Sequence, residues 1–298
     1  MFRFKTLMKF QGSDHWLCKL AGAFALCLTI ARTGLTQGES GSGKTLSLQF
    51  DGNKAVSEGE LITVTQGCMA RNNQQPDKYN SETLGYCLSM TRQMLFSKGY
   101  LQATMAEPKT VESNNAIRVT VSIKEGALFR LGNVVIQGAN LVSPKRIREM
   151  LNLKTGDIAN ADTLMAWSFD ELRKTYAEFG YIQFMSSLEP SYQTRSDGRE
   201  GIINLVLTIH EGQAFTVRSI KFEGNGTTTQ DSLLQQMLVR SGDIFNKELF
   251  EASLKRIDQS GQFETINSDR DVDYRSDKNN LQLDLLIHLK KKMERQDQ

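Results

Sequence analysis

One short pattern, written three times, constrains this chain more than any other feature. It is an apolar strand-like run, a glycine, and a polar lead into the next segment. The copies are Leu48-Gln49-Phe50-Asp51-Gly52-Asn53, Val135-Ile136-Gln137-Gly138-Ala139-Asn140 and Lys221-Phe222-Glu223-Gly224-Asn225-Gly226. Their glycines are evenly spaced (138 − 52 = 86; 224 − 138 = 86). Further landmarks keep step. Gly99, Gly180 and Gly261 each follow a helix-like run (180 − 99 = 81; 261 − 180 = 81). Ile123-Lys124-Glu125-Gly126 returns as Ile209-His210-Glu211-Gly212 (212 − 126 = 86), and Thr155-Gly156-Asp157 as Ser241-Gly242-Asp243 (242 − 156 = 86). Ordered landmarks at matching intervals define an internal repeat, and a repeat settles the architecture before any local argument. A chain of 298 residues then reads as three units of about 80 residues, each large enough to bury a modest core.

Every copy predicts the same element order. In the second, Ser143-Pro144 is a helix start, with Ser as cap and Pro in the first turn. Asn160 caps a longer helix to about Phe179, whose Leu164, Trp167, Leu172 and Tyr176 recur at helical spacing. Gly180 ends it. Two strands follow, 181–192 and 202–210. The third copy predicts helices over 230–239 and from Asn246, then strands over 263–274 and 281–289. The first predicts a helix over 81–97 and strands over 100–106 and 117–123. The fold class is therefore α+β: strand, helix, helix, strand, strand, with two helices on one face of a three-stranded mixed sheet. The helical crossover lets the first and third strands pair in parallel, and the hairpin puts the second strand on an edge. Glu107-Pro108 and Glu189-Pro190 close that strand in two copies, and proline is tolerated mainly at edges.

The N-terminus differs in character. Arg3, Lys5, Lys9 and Lys19 precede an apolar stretch from Leu20 to Ala31, and small or polar residues follow. This is a secretory signal in outline; the alternative is a retained short membrane anchor. No apolar run reaches the ~18 residues of a transmembrane helix. Cys18 and Cys27 fall inside the signal. Cys68 and Cys87 remain, either as a disulfide or as two packed core thiols. With 36 basic and 34 acidic residues, charge gives no nucleic-acid footprint. His15, His210 and His288 are isolated, no Cys/His spacing suits a metal, and no nucleophile has an evident base, so no catalytic residue and no cofactor is expected. One motif needs an answer. Gly38 to Thr45 fits the Walker A pattern, with Lys44 as its lysine. Such a loop needs a strand before it and a helix after it. Here the alternation of Leu46, Leu48 and Phe50 predicts a strand after it, so the segment reads as a Gly/Ser linker, with a nucleotide-binding loop using Lys44 as the alternative.

The repeated unit, with its glycine after the first strand, its Gly-Tyr after the second helix and its Glu-Gly after the last strand, resembles the POTRA (polypeptide-transport-associated) domain. The likeness spans about Leu46 to Lys292. It implies POTRA units at 46–128, 129–214 and 215–292, between a signal and linker (1–45) and a charged tail (293–298). Tandem POTRA domains form the periplasmic arm of barrel-assembly proteins of the BamA and TamA type and of two-partner secretion transporters. The sequence departs from those proteins in carrying no alternating barrel strands after the third unit. The resemblance implies a periplasmic scaffold at the outer membrane. Its expected partners are unfolded outer-membrane precursors or secreted polypeptides, with a separate barrel protein or assembly lipoproteins also implied. A membrane-anchored, division-type relative is the alternative. Clients would add to a free strand edge through main-chain hydrogen bonds. The edge residues expected to carry this are Tyr100, Leu101, Gln102, Tyr181, Ile182, Gln183, Phe263 and Thr265. Gly52, Gly138 and Gly224 are expected as tight turns, and Gly126 and Gly212, with their preceding glutamates, as junctions that set the angle between units.

Overall fold

The computed structural model describes residues 45–72 and 80–292. The first repeat comprises β1 (Thr45–Asp51), α1 (Glu58–Asn72), α2 (Ser81–Ser97), β2 (Thr104–Met105), β3 (Lys109–Glu112) and β4 (Ala116–Lys124). The second comprises β5 (Leu128–Gln137), α3 (Pro144–Met150), α4 (Ala161–Met165), α5 (Leu172–Ala177), β6 (Met185–Thr194) and β7 (Glu200–His210). The third comprises β8 (Thr216–Glu223), α6 (Gln230–Leu234), α7 (Lys247–Gln259), β9 (Val272–Asp277) and β10 (Gln282–His288). The described residues form two compact units. One runs through the first repeat to residue 129 and includes 194–201; the other holds 130–193 and 202–292.

Each repeat owns one sheet. The strand orders are β1-β4-β2 with β3 also on β4, then β5-β7-β6, then β8-β10-β9. The last strand of each repeat is therefore central. β1 and β8 run parallel to β4 and β10, as a helical crossover requires, and β3 and β9 are antiparallel to them. The central strands alternate between buried and more exposed residues, so one face of each sheet meets helices. In the first repeat Val119, Val121 and Ile123 pack with Leu61, Leu84 and Leu95; in the third, Leu283, Leu285 and Ile287 pack with Phe250, Leu254 and Ile257.

The caps are local chemistry. The Ser143 hydroxyl accepts from Arg146 N, and the Asn160 and Asn246 carbonyls accept from Thr163 N and Leu249 N. The long helix expected over 160–179 is interrupted. Residues Ala166–Glu171 form a π-helical segment between α4 and α5. There the buried Trp167 indole donates to Ile147 O (2.8 Å). The helix expected over 230–239 stops at Leu234; Leu238 N then donates to the Ser253 hydroxyl (2.8 Å) rather than to a helical carbonyl.

Cys68 and Cys87 form a disulfide between α1 and α2. Thr65 and Thr91, both fully buried, share a hydroxyl–hydroxyl bond of 2.7 Å in the same helix pair. Thr45 begins β1, where a phosphate-binding loop would require a helix, and Lys44 lies outside the described residues. The expected signal also lies outside them. Among the described residues no helix is long and apolar enough to cross a membrane.

Candidate functional site

The glycine after the first strand faces a backbone oxygen of the last strand in all three repeats. Gly52, Gly138 and Gly224 have φ of 89°, 76° and 78°. A Cβ on any of them would collide with the carbonyl oxygen of Ile123, Ile209 or Leu289 respectively. The parallel pairing brings these two chain ends together, and only glycine lets them touch.

The Glu-Gly motif works inside its own repeat. The Glu125 carboxylate, nearly buried, accepts from Ala55 N and Val56 N (both 2.9 Å). Glu211 accepts from Asn140 N (2.7 Å), Leu141 N (2.8 Å) and the Tyr176 hydroxyl (2.8 Å). Partial burial alone would raise the Glu211 pKa, but these donors outweigh it and hold it below the ordinary value. These contacts make the glutamates staples within a unit. Gly126 and Gly212 pass over the Cβ atoms of Gln102 and Gln183, at φ of 75° and 74°.

The expected edge residues sit just before the edges. Tyr100 N and Tyr181 N each donate back five residues, to Leu95 O and Tyr176 O. Gly99 and Gly180, at positive φ, make this the helix-ending Schellman turn. Tyr100, Leu101 and Gln102, and likewise Tyr181, Ile182 and Gln183, therefore lie in turns, outside the strands. Leu101 is buried, and Ile182 packs against the core of the third repeat. Phe263 is buried and meets Lys291 through one isolated bridge, while Thr265 is exposed and outside any strand. The strands themselves begin later, at Thr104, Met185 and Val272. Pro190 falls within β6 rather than closing it.

The two sides of each sheet differ. In the second repeat Gly156 N donates to Leu131 O (2.7 Å) and Leu131 N to Asp157 O (2.8 Å); in the third, Gly242 N donates to Val217 O and Val217 N to Asp243 O, both 2.8 Å. The Thr/Ser-Gly-Asp motif thus covers the free side of the first strand. Its aspartates serve the turn, accepting from Lys154 N and Arg240 N. On the opposite border of the third sheet, no further strand pairs with β9 among the described residues. In the third sheet β9 is the terminal strand. His288 N donates to Asp271 O (2.8 Å). Antiparallel ladders alternate, so by the register the amides of Asp273, Arg275 and Asp277 point to β10. Those of Val272, Tyr274 and Ser276 point away from the sheet. Tyr274 anchors the strand, its ring edge-on to Phe250 (6.0 Å) and its hydroxyl donating to Ser268 O (3.1 Å). At the entrance to β9 the Arg270 guanidinium holds Asp271 at a pKa of about 2. His288 lies between Glu223 (3.3 Å) and Asp273 (3.5 Å) on the sheet. Among the described residues no group of three His, Cys, Asp or Glu could hold a metal.

Three look-alike α+β modules, each closed by a glycine against its own last strand, define a tandem-repeat protein. The POTRA family profile, described as the surface antigen variable number repeat, matches residues 46–126, 129–212 and 215–292. The chain belongs to the POTRA family. It is 26 % identical over 237 residues to a Treponema pallidum (strain Nichols) protein described as an outer membrane protein assembly factor, covering 74 % of this chain and 26 % of that protein. It is 22 % identical over 218 residues to the outer membrane protein assembly factor BamA of Nitratidesulfovibrio vulgaris, covering 72 % of this chain and 26 % of that one. The chain thus spans under a third of these relatives' length. Among solved structures, POTRA domains 3–5 of Haemophilus influenzae BamA share the fold, with a TM-score of 0.61 at 21 % identity, over 84 % of this chain and 96 % of that one.

Proposed function

We propose that this chain is a periplasmic, non-catalytic POTRA scaffold that binds extended polypeptides by strand addition during outer-membrane protein assembly or secretion. The observation that carries the reading is the outward row of amides on β9. An extended client can pair with such a row without regard to its side chains, which suits unfolded barrel precursors. The relatives' names, outer membrane protein assembly factors, support the same process and compartment. The edges of β6 and β9 would hold the client. The turns carrying Tyr100 to Gln102, Tyr181 to Gln183 and Phe263 to Thr265 would set where each edge begins. A separate barrel protein or assembly lipoproteins would be the stable partners.

Ser276→Pro tests this. It removes one outward amide and leaves the ladder to β10 intact. The probe is a urea-unfolded outer-membrane barrel precursor, diluted into the full-length protein, with binding followed by fluorescence anisotropy. The variant is expected to bind about two- to tenfold more weakly, the worth of one main-chain hydrogen bond, with an unchanged circular dichroism spectrum. Unchanged affinity in the folded variant would remove β9 from the reading.

A further inference from the structure

The seam between the second and third repeats lies within one compact unit, and its backbone is fixed. Phe215 N donates to Gly180 O (3.0 Å). A Cβ at Gly180 would press on Ile244 Cγ2, Phe245 O and Phe215 O (2.7, 3.1 and 3.2 Å). Beside this seam is an open cleft of about 370 Å³, at the small end of the ~300–1,000 Å³ range of ligand pockets. Phe179, Leu238, Ile244 and Leu249 line it, with Glu178 and Asp243 as its charged members. These apolar side chains are 48 %, 41 %, 61 % and 43 % exposed. Large apolar groups this exposed around one cleft mark a contact surface.

The repeat supplies its own control. One interval earlier, Phe179 corresponds to Lys98, Leu238 to Asn152 and Leu249 to Thr163 (179 − 98 = 81; 238 − 152 = 86; 249 − 163 = 86). The module folds with polar residues at these three positions, so folding does not account for the apolar ones. Ile244 corresponds to Ile158, which is also exposed (42 %), so that isoleucine belongs to the module and the other three are particular to this cleft.

We infer that the cleft is a docking site for a segment of another polypeptide that presents one aromatic or branched apolar side chain next to a lysine or arginine. The apolar lining supplies affinity, and the two carboxylates select the cation. Asp243 uses one oxygen on Arg240 N. The Glu178 carboxylate has no hydrogen bond or ion pair among the described residues, so its charge is available. The site is separate from the β9 edge and does not depend on the client-binding reading.

The test is methyl-selective NMR on the full chain, following Ile244 and Leu249. The probe is the peptide acetyl-Ala-Lys-Phe-Leu-Lys-Ala-amide, compared with the same peptide carrying glutamate in place of both lysines. Saturable shifts with the lysine peptide are expected, weakened about tenfold by Phe179→Lys, a residue the first repeat accommodates, and retained in Ser276→Pro. Leu249→Thr, read at Ile244, is the second variant and should weaken binding in the same direction. Absence of saturation, equal binding of the glutamate peptide, or indifference to both variants would overturn the proposal. So would concentration-dependent self-association by sedimentation that Phe179→Lys abolishes, since the occupant would then be a second copy of this chain.

Discussion

Two alanine substitutions in the second repeat separate sterics from backbone strain. Gly138 and Gly156 both have positive φ, 76° and 95°. A Cβ at Gly138 would strike Ile209 O, whereas a Cβ at Gly156 meets nothing within 4 Å. Left-handed backbone costs a non-glycine residue roughly 1–2 kcal/mol. Overlap with a carbonyl that is itself held in a sheet adds about 1–3 kcal/mol. Gly156→Ala should therefore lose about 1–2 kcal/mol and Gly138→Ala about 2–5 kcal/mol, against a total of ~5–15 kcal/mol for a domain. The chain has two tryptophans, and Trp167 is buried in this repeat. In a Trp16→Phe background its emission reports urea unfolding of the compact unit that holds the second repeat. Equal midpoint shifts for the two variants would refute the reasoning, because the contact with Ile209 O would then carry no cost of its own.

Two other outcomes follow from named contacts. The Cys68–Cys87 link closes a loop of sequence separation 19, worth about 3 kcal/mol of denatured-state entropy. Urea unfolding in the presence of a reductant should lower the protection of α2 amides against hydrogen exchange by that amount and leave Trp167 unaffected. The folded pKa of Glu211 lies below its ordinary 4.5. It therefore stabilises the second repeat at pH above 4.5, and that contribution disappears as pH falls through the folded value. Glu211→Gln should cost about 1 kcal/mol at pH 7, a partly solvated set of charge-assisted bonds, and should flatten the acid limb of stability measured through Trp167.

The fold was legible because the repeat multiplied weak signals. One glycine after an apolar run says little, while three at one interval specify a parallel pairing that recurs. The capping residues Ser143, Asn160 and Asn246 were readable because each acts on an amide three residues away. The edges begin later than the sequence suggests, because Gly-Tyr marks the end of a helix and not the start of a strand. A helix that ends in a Schellman turn uses the next residues to close itself, and Tyr100 and Tyr181 are those residues. The role of Glu125 and Glu211 is hidden for another reason: their backbone partners lie 70 residues away in sequence. Spacing shows that a motif recurs, and only the parallel pairing of first and last strands shows what it touches. The cleft beside Phe179 also has a sequence signal: the copies differ position by position, with Lys98 against Phe179 and Thr163 against Leu249.

The third repeat shows which parts of the module are obligatory. Leu289 stands where Ile123 and Ile209 stand, under the glycine, so the residue two further on, Lys291, occupies the place of Glu125 and Glu211. The carboxylate staple is absent from that position, yet the turn is closed. The Asn225 side-chain amide donates to Thr228 O, as Asn53 does to Val56 O in the stapled first repeat, and what the third repeat adds is the Thr228 hydroxyl bond to Gln262 Oε1 (3.0 Å). Polar closure can be supplied by any donor and acceptor that reach the turn, because each bond is worth only about 1 kcal/mol and has substitutes. The glycine has no such substitute. It is fixed by the distance between two backbones that parallel pairing sets, and every side chain exceeds the space. The glycine therefore keeps its interval through all three copies, while the residues around it are free to change and to serve contacts, such as the cleft at the second seam, that folding does not require.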